Sequence, residues 1–360
     1  MKHELFPSVD AMLAPETLSK LVGESITQVT TKPDGDFDLS GNKKVLVETN
    51  GGTGTSYILK QVVPEENWIV LATDDDLGRE TRLWEHGIID RLENTVVSPN
   101  IACAMYDSGW AFLMHDISST IVGKDGSKIT EVENRTCLER IADVQAEFWQ
   151  DPALQNPDLG LMDIRNYLHQ WLPKTCRPHK GVHFIFDAIL DGWERIDKFI
   201  DPDISEIVTE WLEAPKLLED ALNRFPHTLV HGAFMASSIG IQLEPETKFY
   251  LSNWIGATVG TPAMDLVWWI ATNTGNLPVS FDEVIEIYKQ ALASRLGDAF
   301  SEDWWQPQLD VTLCAGFLRL GWAIPGRLTD DNFADVRDAW QDATIWWSDK
   351  FRIGAKLLTG

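Results

Sequence analysis

The chain predicts an α+β fold in two parts, a small β-sheet part over residues 1–116 and a larger, mostly helical part over 117–360. Three observations carry that expectation. Runs rich in β-formers, Lys44–Glu48, Ser56–Val62, Ile101–Tyr106 and Trp110–Met114, crowd into the first third of the chain. Beyond Asp116 the apolar residues recur at helical spacing, as at Leu138, Ile141, Val144 and Phe148. One stretch, 228–270, interrupts the helices with two short apolar strands, Thr228–Val230 and Phe249–Ser252. Each delivers a polar loop, and a Trp-rich helix follows; loops held by rigid strands are where function concentrates.

Taken in order, Pro15-Glu16-Thr17 opens a helix, and Lys32-Pro33-Asp34-Gly35 is expected to be a turn. Thr49–Thr55, with Gly51, Gly52 and Gly54, joins two strands as a hairpin. Lys60 lies on the second of these strands; taken alone it reads as a solvent-facing lysine on a half-buried strand, whereas if Lys60 and Glu80 persist only as structure, Lys60→Met is expected to alter stability modestly. The segment Gly78–Leu92 reads as a helix carrying Glu80 and Glu85, and by itself it is a solvated acidic face. Strands Ile101–Tyr106 and Trp110–Met114 close the first part at Met114-His115-Asp116. A helix over Cys137–Gln150 is closed by Pro152, Pro157 and Gly160. Periodic segments follow at Asp163–Trp171, Phe184–Phe199, Asp203–Ala214 and Ala214–Asn223. Three long helices, Phe281–Leu296, Glu302–Ile324 and Asn332–Phe351, complete the chain.

Lys plus Arg number 30 against 55 Asp plus Glu, a net charge of −25. This argues against nucleic acid, whose binding requires a basic footprint, and against an anionic membrane surface. The acidity suits either capture of a polycationic substrate or a solvated surface. Cys103, Cys137, Cys176 and Cys314 are scattered without metal-ligand spacing and read as reduced, mostly buried thiols. The segment MKHELFPSVDAML has no apolar run fit for a signal peptide, and no stretch approaches the ~18 apolar residues of a membrane span. A cytoplasmic protein with no nucleic-acid or membrane partner is expected.

The stretch LVHGAFMASSIGI, then FYLSNWIGATVGTPAMDLVWWI, resembles the catalytic core of the aminoglycoside phosphotransferase and choline kinase-like family. That family's pattern is H-G-D-x-x-x-x-N, a strand ending in D-W, then G-x-P-x-x-D-L. His231, Gly232, Trp254, Gly260, Pro262, Asp265 and Leu266 fall on it. The resemblance covers nearly the whole chain and implies a two-lobed protein kinase-like fold. It further implies that Gly51, Gly52, Gly54, Lys60, Glu80 (with Glu85 in reserve), Met114 and Asp116 are remnants of a nucleotide site, the last two at a hinge between lobes. It makes His231 and Asp265 mainly structural, the His231 ring hydrogen-bonded near the carboxylate.

The three positions that carry the family's chemistry differ. Ala233 stands where the catalytic Asp belongs, Ser238 where the Asn belongs, and Asn253 where the metal-binding Asp belongs. Phosphoryl transfer is mostly positioning and charge neutralisation, and Mg²⁺ favours carboxylate oxygen. Loss of one preorganised electrostatic contact costs about 2.7–4 kcal/mol of transition-state stabilisation. No metal site is expected, and Mg-ATP enters only if the chain remains a kinase.

What remains for chemistry is sparse. His231 is the only group of the central stretch that titrates near neutrality. Ser237 and Ser238 are either hydroxyls of use or solvated loop serines. Phe234, Met235, Trp254, Trp268, Trp269, Trp305 and Trp322 are candidates for an apolar ligand pocket; packing between long helices accounts for many of them equally well. Three functions are consistent with these features. A degenerate member binds, and transforms without ATP, a small aromatic or apolar molecule, for instance by cyclisation or rearrangement in the cleft between lobes. A small-molecule hydroxyl kinase works with an unconventional site. A regulatory pseudokinase binds without catalysis.

Overall fold

The computed structural model describes residues 3–37, 40–76, 78–92, 95–243 and 246–359. The chain divides into two compact units: the first comprises 1–121, 157–160 and 238–255, and the second 122–156, 161–237 and 256–360. The strands of the first unit's main sheet are β1 (Leu5–Phe6), β2 (Val29–Phe37), β3 (Lys43–Thr49), β4 (Tyr57–Val62), β5 (Asn100–Tyr106) and β6 (Gly109–His115). Later in the chain come β7 (Thr228–Val230), β8 (Ile239–Gln242), β9 (Lys248–Leu251) and β10 (Thr258–Gly260).

The main sheet has the order β1-β5-β6-β4-β3-β2, with β1 and β5 parallel and the other pairs antiparallel. Alternate residues of its central strands, Val47, Tyr57, Leu59, Ala102, Ala104 and Leu113, meet Met12 and Leu18 from the N-terminal helices in one apolar core. Two sequence expectations change here. The turn expected at 32–35 lies inside β2, where the pairing with β3 slips between Pro33 and Phe37. Proline is tolerated because β2 is the sheet edge, where the missing N–H breaks no ladder and a bulge absorbs the slip. The helix expected over 78–92 ends at Glu85, and after Gly87 at φ 62° a short 3₁₀ turn, Ile89–Leu92, follows. A left-handed glycine terminates a helix that apolar spacing alone would prolong. The β8–β9 hairpin joins this unit through Val97, which bridges Tyr250 and donates its N–H to the Phe249 carbonyl at 2.8 Å.

In the second unit β7 pairs antiparallel with β10, Val230 opposite Thr258. The helix Glu131–Glu147 starts six residues before its apolar spacing becomes visible, because Thr130 and Glu133 form a capping box that fixes a polar first turn. Helices Ala263–Thr272, Phe281–Leu296, Glu302–Leu320 and Arg337–Thr359 build most of the remainder. Both Trp268 and Trp269 are buried, whereas Trp304 and Trp346 keep part of their surface open beside buried Trp305 and Trp347. The first pair can both be buried because their helix is enclosed by apolar neighbours all round. Among the described residues no helix is long and apolar enough to cross a membrane.

Candidate functional site

In the first unit, β4 carries Lys60 and the helix Arg79–Glu85 carries Glu80. Gly78 caps that helix at φ 67°, and a Cβ there would lie 3.0 Å from the Trp110 ring, so only glycine lets the helix start this close to β6. The result is a Lys60 Nζ–Glu80 Oε2 contact of 2.6 Å, with side chains only 5% and 2% exposed. Phe112 of β6 lies under the ammonium at 5.3 Å. Glu80, not Glu85, is the partner; Glu85 accepts from Arg82 at 3.0 Å. The solvent-facing lysine expected from the strand alone is thereby corrected, since burial of a charge requires the pairing.

The glycine hairpin is a tight turn of its own making. Gly51 and Gly52 take φ 67° and 84°, and a Cβ on Gly54 would meet Thr49 Oγ1 at 2.2 Å. Asn50 ties the turn down by accepting from the Thr27 N–H at 2.9 Å and donating to the Ser25 carbonyl at 3.0 Å. At the end of β6, Met114 is buried in the sheet, while Asp116 is exposed and accepts the Ser118 N–H at 2.9 Å, as an Asx turn. Beside it a recess of about 330 Å³ is lined by His115, Asp116, Thr120, Lys248 and Tyr250 among others. Burial and the nearby Lys248 lower the His115 pKa.

Also in this unit, Ser238 is buried at the end of the one-turn Ala236–Ser238 helix, its carbonyl accepting the Ser252 N–H at 3.0 Å. Asn253 holds φ 68°, a left-handed backbone unusual for a residue with a side chain, and its Oδ1 is buried without a hydrogen bond among the described residues. Trp254 is fully buried.

In the second unit the loop after β7 is organised by a buried carboxylate. Asp265 accepts the N–H of His231 (2.8 Å), the N–H of Gly232 (2.9 Å) and the Gln145 amide (3.1 Å). It is the His231 backbone, therefore, that reaches Asp265. Gln145 is held in turn by Tyr288, whose hydroxyl also donates to the Pro262 carbonyl at 3.1 Å. Burial pushes Asp265 up to about 7, against the pull of its three hydrogen bonds. Gly232 takes φ 74°, and a Cβ there would fall 1.8 Å from the Gly256 carbonyl. Two glycine backbones thus pack against each other, which fixes the loop. The His231 ring meets Phe234 edge-on at 6.3 Å.

Phe234, Trp269 and Trp305 belong to the core: Phe234 packs on Trp269 at 5.3 Å, and the Trp269 indole donates to Asn134 at 2.9 Å. Ser237 is exposed, and Met235 and Trp322 keep part of their surface open. As donors for Mg²⁺, Ala233, Ser238 and Asn253 offer no carboxylate, and this set does not fit a hard divalent ion. Among the described residues no group of three or more His, Cys, Asp and Glu is arranged to hold a metal.

Sequence reasoning missed a cluster in the second unit centred on Arg319 of the helix Glu302–Leu320. The guanidinium lies 3.6 Å from the Tyr167 ring and 4.1 Å from that of Trp268, and donates weakly to the Gly232 carbonyl at 3.4 Å. The signal available was one charged residue within LCAGFLRLGWAI, an otherwise apolar run. Gln145 was missed too, lying beside the apolar stripe of its helix.

No family model and no curated protein matches this chain. Solved structures do. An ethanolamine kinase of Plasmodium vivax superposes with a TM-score of 0.52 at 11% identity, over 97% of this chain and 93% of that one. A microcompartment-associated aminopropanol kinase gives a TM-score of 0.51 at 13% identity, over 95% and 96%. The chain has the kinase-like α+β fold of these small-molecule kinases, with a sheet-based N-terminal part and a helical C-terminal part. At such identities the likeness is one of fold.

Proposed function

We propose that this chain has abandoned ATP-dependent phosphoryl transfer and uses the phosphotransferase fold to bind a small aromatic or apolar molecule. The observation that carries the reading is the composition of the loop after β7. Position 233 is alanine, and the carboxylate that reaches the loop, Asp265 from the helix Ala263–Thr272, has both oxygens committed to the amides of His231 and Gly232. It is thus occupied in shaping the loop and not offered to a hydroxyl proton or to magnesium. Transformation of the ligand without ATP is part of this proposal, with His231 as the group suited to moving a proton and Ser237 and Ser238 as the hydroxyls at hand. Calorimetric titration of ATP with and without magnesium tests the loss of phosphotransfer. Weak affinity with no magnesium dependence is expected; strong, magnesium-dependent binding overturns it.

A second reading is favoured by one observation, the intact Lys60–Glu80 pair at 2.6 Å. In kinases such a pair holds a lysine at the nucleotide phosphates. On this reading the chain phosphorylates a small amino alcohol, as the names of the ethanolamine and aminopropanol kinases of like fold suggest. ATP consumption stimulated by either compound distinguishes it from the first.

A further inference from the structure

The Arg319 side chain is 2% exposed in an aromatic surround: Tyr167 and Trp268 cover the guanidinium, and Trp171 stands at 5.5 Å. Buried arginines ordinarily face a carboxylate. Here burial acts on the group, lowering its pKa well below the ordinary value, and no acid among the described residues counters it. Its Nε and Nη1 are buried without an acceptor among the described residues, and so is the Trp268 Nε1. Ring faces return part of the cost of burying a cation, but they satisfy none of the N–H groups.

The cluster therefore presents a positive charge, three buried N–H donors lacking acceptors and a set of aromatic faces. Its chemical complement is an oxyanion on a flat apolar body. We propose that the Arg319 cluster binds an aryl carboxylate, the carboxylate oxygens accepting from the guanidinium and the Trp268 indole, the ring lying along Trp268 and Trp171. A charge-assisted pair of this kind is the strong form of hydrogen bond, and strongest where water is excluded. Trp322 is the ring of the stack that keeps part of its surface open: it lies 6.1 Å from Trp171 at 12°, and its indole donates to the Arg319 carbonyl at 2.9 Å, so the proposal takes it as the side from which the ligand enters. This deepens the function proposed above by naming the ligand class, and it rests on that reading for the aromatic body of the ligand. The charge argument stands on Arg319 alone.

Benzoate is the probe, titrated calorimetrically into the full chain without ATP, beside benzyl alcohol as its neutral counterpart. Benzoate is expected to bind at least about tenfold tighter than benzyl alcohol. Arg319→Met, which keeps the length and apolar stem, should lose about tenfold to a hundredfold in benzoate affinity. Trp268→Phe, which keeps a ring and removes the N–H, should lose several-fold. Absence of benzoate binding to the parent, equal affinity for the two probes, or an unchanged affinity in a folded Arg319→Met variant each overturns the proposal. Should Arg319→Met fail to fold, an unchanged affinity in Trp268→Phe does so. If benzoate binds and Mg-ATP binds as well, only the loss of phosphotransfer fails; if neither binds, only the aryl carboxylate site does.

Discussion

Lys60 and Arg319 are both buried cations, one in each unit, and they are held in opposite ways. Lys60 meets a carboxylate at 2.6 Å and is neutralised inside the fold. Arg319 meets the faces of Tyr167 and Trp268 and no carboxylate among the described residues. The difference teaches which of the two charges is spent. A paired charge is part of the architecture, and removing its partner leaves a bare ion in the interior. A charge supported by ring faces and one long bond to a neutral carbonyl is still available to an anion from outside.

The largest expected effect comes from breaking the paired site. Lys60→Met strands the Glu80 carboxylate and should cost about 3–5 kcal/mol of stability, measured by urea denaturation. That is well above the modest change the sequence predicts for Lys60 and Glu80 kept only as structure, because the pair is buried. Replacing both residues, Lys60→Met with Glu80→Leu, should recover most of the loss. A single variant within about 1 kcal/mol of the parent, the range of surface pairs, would remove one side of the comparison.

The same substitution at the unpaired site should behave differently. Arg319→Met removes a charge with no acid partner and refills the space with apolar atoms. Stability is expected to be unchanged or to rise, by as much as about 1–4 kcal/mol, the range found when buried ionic groups are replaced by hydrophobic ones. A loss of more than about 2 kcal/mol would mean that the rings satisfy this cation fully, and the contrast with Lys60 would disappear.

The third effect is spread over pH as a slope of at most about 1.4 kcal/mol per pH unit, and it extends the comparison to a buried anion. Asp265 is pushed by burial from the ordinary 3.8 up to about 7. Between these values the folded chain holds a proton that the unfolded chain has released. The contribution of Asp265 is therefore fully present below about pH 4 and is lost as pH rises towards 7. Subtracting the stability profile of Asp265→Asn from that of the parent should isolate the decline, because the other acids cancel. A flat difference would show that the amides of His231 and Gly232 keep the carboxylate ionised throughout.

Much of this protein is legible in its sequence for a physical reason: the signals concerned are local. Helical spacing, strand runs and turn glycines depend on neighbours a few residues apart, and they gave the α+β class. The identities at 233, 238 and 253 are read directly, and with them the absence of carboxylates from the expected catalytic positions. The tertiary structure decided what depends on residues far apart in the chain. It buried Lys60 against Glu80, placed β2 at an edge where Pro33 is harmless, and set Gly232 against Gly256 so that neither tolerates a Cβ. It also brought Arg319 to Tyr167, Trp268 and the Gly232 carbonyl, with no acid to announce the meeting. A lone arginine in an apolar helix is visible in the sequence; whether it turns to water, to a carboxylate or to three aromatic rings is settled only when the helices pack.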